Sequence, residues 1–137
     1  MASPSARGKF QSARELKISY QEVFEKLQKI GGEPFICQMI KLFLQNAPQK
    51  LKDLESALRL RDFRALEYAA HELKSCASNV GAGELYEAAR NIEGKCLDKS
   101  EKNLSECIPL SRHLKVIFKR DCRYLQSVLE KRSENKA

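Results

Sequence analysis

Tyr68-Ala69-Ala70-His71-Glu72-Leu73-Lys74-Ser75-Cys76-Ala77-Ser78-Asn79-Val80-Gly81-Ala82 is the stretch around which the rest of the chain is organised. Wound as an α-helix, at about 100° per residue, it separates into two faces. Phe63, Leu66, Ala69, Ala70, Leu73, Cys76, Ala77 and Val80 fall on one broad apolar face that neighbouring helices must cover. His71 points away from that face. It shares an outer stripe with Arg64, Glu67, Lys74, Ser75 and Ser78, at helical spacings that make them neighbours. Lys74 stands one turn on, and Ser75 and Ser78 are small enough to leave room for something large to approach the imidazole.

Working outward, Asp62 suits the N-cap of this helix and Gly81 the left-handed residue that ends it. Upstream, Ser19-x-x-Glu22 reads as a capping box, with Ile18 and Val23 as the hydrophobic staple. A short helix from Tyr20 to Ile30, stopped by Gly31-Gly32, is predicted there. Pro34 then fits a first helical turn. Ile36, Ile40, Phe43, Ala47, Leu51, Leu54 and Leu58 continue at three- and four-residue steps, which predicts a long helix kinked at Pro48. Downstream, one helix is predicted over 83–97, burying Leu85, Ala88, Ala89, Ile92 and Cys96. After a polar connection over 98–103, a last helix is predicted over 105–131, burying Leu110, Leu114, Ile117, Phe118, Leu125 and Val128.

Nothing alternates with the period of a strand. The expected fold is therefore all-α, an antiparallel four-helix bundle with an additional short N-terminal helix. The expected organisation is a flexible N-terminal tail over 1–18, the bundle over 19–132 and a C-terminal tail over 133–137. Phe35, Met39 and Leu42 form a second apolar stripe on the long helix, for packing against the short first helix or for docking a partner.

Composition narrows the class. With 42% hydrophobic and 31% charged residues, the chain has material for one core and is not a disordered segment. No run reaches the ~18 uninterrupted apolar residues of a membrane span, and residues 1–11 hold no apolar segment of a secretory signal. The five cysteines are scattered without a Cys-x-x-Cys pair. They read as reduced small hydrophobes of a cytoplasmic protein, with no metal site. The net charge of +7 resides in the ends: residues 1–18 carry +3 and residues 105–137 carry +4, while 19–104 are balanced. Without aromatic interleaving or a DNA-reading module, that excess does not point to nucleic acid. It suits a partner with a carboxylate-rich surface. His113, which lacks the context of His71, reads as a surface residue.

His71, Leu73, Lys74, Gly81 and Ala82, preceded by Ala69-Ala70, resemble the signature of histidine-containing phosphotransfer (HPt) domains, and the resemblance extends over most of 19–130. The pattern departs at Ser75, where that family usually has glycine. The resemblance implies a four-helix bundle and a phosphorelay intermediate. His71 would accept a phosphoryl group from a receiver-domain aspartate and pass it to another receiver, in response regulators or hybrid sensor kinases. Chemically this fits. Neutral imidazole offers a nitrogen lone pair that can attack phosphorus, and Lys74 could offset the added negative charge.

No nucleotide-binding loop is legible, so the chain is expected to be a phosphoryl carrier, not an enzyme with an ATP site. It needs no cofactor of its own, and magnesium is expected on the partner receiver. Arg64, Glu67, Ser75 and Ser78 are the candidate partner-binding residues, Gly81 the structural one, and a monomer is expected. Two alternatives stay open: an inactive relative that binds proteins without carrying phosphate, and a hydrolase using His71 with a serine or cysteine. The second is disfavoured because Cys76 lies well round the helix from His71.

Overall fold

The computed structural model describes residues 12–134, and its helices are α1 (Tyr20–Arg59), α2 (Phe63–Val80), α3 (Gly83–Lys95) and α4 (Glu101–Glu134). Each packs against the next and α4 closes back onto α1, so the bundle is antiparallel, with α2 and α4 diagonally opposed. Among the described residues there is no strand. Ser19 is extended, and its side chain accepts the Glu22 N–H at 3.2 Å, which starts α1 where the capping pattern put it.

Gly32, at φ 71 and ψ −165, breaks α1 into a short leading segment and a long one, the two pieces expected from Gly31-Gly32. Apart from Gly32, α1 keeps helical dihedrals and runs on through Pro48. Ile36, Ile40 and Leu54 of α1 meet Leu66, Leu73 and Val80 of α2, Leu85 and Ile92 of α3, and Leu104, Leu114 and Leu125 of α4 in one fully buried core. Phe35 and Met39 of the second apolar stripe pack against that core, whereas Leu42 is exposed.

The turn that ends the His71 helix is held from two directions. Gly81 is left-handed at φ 89, and its N–H and that of Ala82 both donate to the Ala77 carbonyl, at 3.0 and 2.9 Å. A Cβ at Gly81 would also lie 2.4 Å from the Ser19 carbonyl oxygen, so the entrance to α1 rests directly on this turn. Such an approach is open only to glycine.

Four boundaries differ from the sequence reading, one of them the end of α4, which continues to Glu134 instead of stopping at 131 before a tail over 133–137. α4 begins at Glu101 instead of Ser105, because Ser100 caps it: its Oγ accepts the Asn103 N–H at 3.1 Å and its carbonyl the Leu104 N–H at 3.0 Å. The extra turn brings Leu104 into the core beside the buried Cys107. α3 ends at Lys95, and Cys96 turns off it. The expected tail over 1–18 lies partly outside the described residues, and its remainder is packed. The Ile18 N–H donates to the Ala13 carbonyl at 2.7 Å, Ala13 is buried, and the Ala13 N–H donates to the Glu87 carboxylate. That turn of chain is short and polar in composition, so only its contacts reveal that it belongs to the bundle.

All five cysteines are free; Cys37, Cys96 and Cys107 are buried and Cys76 and Cys122 partly so. Burial pushes the Cys96 thiol up to about 12 and the Cys122 thiol up to about 11, which keeps both unreactive near neutral pH.

Candidate functional site

α2 carries the candidate residues because its start is fixed by Asp62, whose carboxylate accepts the Ala65 N–H at 3.1 Å, and its end by Gly81. Between those points Leu66, Ala69, Ala70, Leu73 and Ala77 are buried, which leaves His71 on the outer stripe. Its side chain is 57% exposed.

The imidazole is not free, however. Its Nδ1 lies 2.7 Å from Oε2 of Glu93, on α3, and Oε1 of the same carboxylate accepts a hydrogen bond from Lys74 Nζ at 2.6 Å. Glu93 therefore bridges the histidine and the lysine across the α2–α3 interface. Both bridge partners are well covered, Lys74 at 16% and Glu93 at 17% exposure, and the Lys74 ammonium lies 5.9 Å from the centroid of the Tyr86 ring.

This geometry sets the tautomer. A carboxylate oxygen facing Nδ1 only accepts, so Nδ1 carries the hydrogen, and in the neutral ring Nε2, on the other side, is the nitrogen with the lone pair. The result is an exposed imidazole with its nucleophilic nitrogen free and its second nitrogen anchored to an anion. If Nε2 gained an electrophile, the positive charge arising on the ring would lie against Glu93.

The other sequence-predicted residues divide. Arg64 and Ser75 are exposed beside His71 on α2, while Glu67 and Ser78 are half-buried. The Ser78 hydroxyl donates to the Ser75 carbonyl at 2.9 Å and so folds back onto its own helix. Lys74, read from the sequence as the group that offsets phosphoryl charge, is mostly covered and has its own charge paired with Glu93. Glu72, next to His71, pairs at 3.7 Å with Lys50 of α1 and so ties the site helix to its other neighbour. His113 is exposed on α4, away from this cluster.

Two residues escaped the sequence reading. Tyr68, exposed one turn before His71, offers a large aromatic surface on the same stripe. Glu93 follows His71 by 22 residues, so no helical spacing connects them. A signal did exist. His71 and Glu93 lie at similar distances either side of the Gly81-Ala82 turn, and an antiparallel helical hairpin brings such mirrored positions together.

Three comparisons bear on this arrangement. The Hpt domain family model matches residues 38–134, which contain α2, α3, α4 and the Glu93–His71–Lys74 cluster. The chain is 26% identical over 86 residues to "Histidine-containing phosphotransfer protein 1" of Arabidopsis thaliana, a stretch covering 61% of this chain and 56% of that relative. It thus spans about half the length of that curated protein. A crystal structure of a histidine-containing phosphotransfer protein from maize shares the fold with a TM-score of 0.69, at 24% identity, covering 86% of this chain and 84% of that one. The all-helical bundle and the match over most of its length agree: this chain belongs to the Hpt-domain family.

Proposed function

We propose that this chain is a phosphorelay intermediate in which Nε2 of His71 carries the phosphoryl group. The observation that carries the proposal is the exposed imidazole held through Nδ1 by Glu93 on a helix hairpin of the Hpt family. In the forward step the Nε2 lone pair attacks the phosphorus of a receiver's aspartyl phosphate. The P–N bond forms, the P–O bond to the aspartate breaks, and the aspartate leaves as a carboxylate.

The ring then bears positive charge against Glu93 and a phosphoryl group carrying negative charge at Nε2. The pairing of Lys74 with Glu93 keeps an ammonium beside the site before any phosphate arrives. The return step reverses these bonds onto an aspartate of a second receiver. Arg64, Tyr68 and Ser75 form the rim on which a receiver would dock; magnesium would come with that partner. The chain acts as a cytoplasmic, monomeric carrier and makes no use of ATP.

The experiment is to mix the protein with a panel of receivers carrying labelled aspartyl phosphate. Label should appear on the wild type in an acid-labile, base-stable form and be absent from His71→Gln, while His113→Gln accepts it normally. Equal labelling of His71→Gln would overturn the assignment.

One observation favours a second reading. Ser75, where the family usually has glycine, is exposed next to His71 on the rim. If it closes the site to receivers, the chain is a protein-binding adaptor without phosphotransfer, and the wild type would take no label from any receiver.

A further inference from the structure

α4 has an outer edge that nothing in the bundle uses. Arg112, Val116, Lys119 and Arg123 recur there at steps of three and four, on one exposed stripe about 16 Å long. Val116 is 68% exposed, and Ile108 flanks it at the N-terminal end. The neighbouring cations are held by acids of other helices: Lys115 by Glu55 of α1 at 3.1 Å and Arg120 by Glu84 of α3 at 2.9 Å.

Arg112, Lys119 and Arg123 have no carboxylate partner among the described residues. From Cys107 to Leu129 the helix carries a single acid, Asp121, and it is buried. The stripe is positive, interrupted by aliphatic surface, and lacks counter-charge. Because α4 is diagonal to α2, it also faces away from His71.

We infer that this stripe docks an acidic amphipathic helix of a partner protein while leaving His71 open to a receiver. Complementarity selects that occupant. The guanidinium forks of Arg112 and Arg123 match carboxylates bidentately. Val116 lies between them, so a partner helix fits when one face alternates carboxylates with apolar side chains at the same helical steps.

A nucleic-acid backbone could pair the three cations, but it offers nothing to Val116 or Ile108, and so few phosphate contacts leave binding strongly salt-dependent. An anionic membrane would reward a continuous apolar face, and here it meets one valine and one isoleucine among cations. The inference goes beyond phosphotransfer, since it gives the carrier a second surface through which a scaffold could hold it during transfer.

The test uses the full chain and a labelled synthetic helix with glutamates and leucines on one face. A scrambled peptide of equal composition, duplex DNA and phosphatidylserine vesicles serve as competitors. Fluorescence anisotropy should show the facial peptide binding at least about tenfold more tightly than the scrambled one. The triple variant Arg112→Glu, Lys119→Glu, Arg123→Glu should lose about tenfold or more, and Val116→Asp alone should also weaken binding. Both should keep the circular dichroism and the receiver-dependent labelling of wild type. Equal binding of the scrambled peptide would overturn the inference, as would tighter binding of DNA or vesicles. Undiminished binding by the triple variant, or loss of receiver labelling in it, would do so too.

Discussion

Glu93 ties together the two groups that phosphotransfer would need, and its replacement separates their roles. Glu93→Gln retains an oxygen for Nδ1–H but removes the charge that faces the ring. It should slow phosphoryl acceptance by at least about tenfold with little change in fold, measured by rapid-quench labelling from a phosphorylated receiver. An unchanged rate would make Glu93 a purely structural partner of Lys74. Lys74→Ala should behave differently from the substitution of a solvated lysine. The ammonium is mostly covered, so its loss leaves Glu93 half-paired and should cost about 1 kcal/mol in urea denaturation, besides slowing transfer. Ser75 bears on access: Ser75→Gly should keep or raise the rate, and Ser75→Leu should block labelling while the protein stays folded. Full labelling of Ser75→Leu would place the docking partner elsewhere. His71 was legible because the apolar residues around it fix its face of the helix. Glu93 was not, because its relation to His71 exists only once the chain has turned at Gly81.

That turn is where local chemistry and packing meet. Gly81→Ala would force a side chain into the left-handed region and against the Ser19 carbonyl, which together should destabilise the protein by at least about 2 kcal/mol. The expected outcome is a lowered urea midpoint with an unchanged slope; full stability would show that α1 can move off the turn. Residues such as Asp62, Ser19 and Gly32 announced the helix ends they make, because capping and φ preference act through adjacent atoms. Ser100 was not read as a cap, because the polar run from Asp98 to Asn103 resembled a loop and hid the start of α4. The packing of residues 12–18 was beyond any local pattern, since it depends on Glu87 and on the bare backbone of Gly83, where a Cβ would lie 2.4 Å from the Ile18 carbonyl oxygen.

Across the bundle, the least comfortable group is Asp121, a buried acid on α4 beside Tyr20. Desolvation raises its pKa above the ordinary carboxylate value, opposed by the Tyr20 hydroxyl and the Arg120 guanidinium. An acid whose folded pKa is raised holds its proton more tightly in the folded state. The stability it contributes is therefore present in acid and is lost as pH rises from the unfolded value through the folded one. Asp121→Asn should accordingly raise the melting temperature at pH 7, by an amount on the order of 1 kcal/mol in stability, and lose that advantage below about pH 3.8. A variant less stable at pH 7 would mean that the ionised carboxylate is a net asset.

The most direct test of the central claim is nitrogen-15 and phosphorus-31 NMR of the imidazole before and after phosphorylation by a receiver. The account predicts a hydrogen on Nδ1 of His71 in the resting protein and a phosphorus–nitrogen coupling at its Nε2 in the phosphorylated one. Phosphorylation at Nδ1, at His113, or at neither histidine would contradict it.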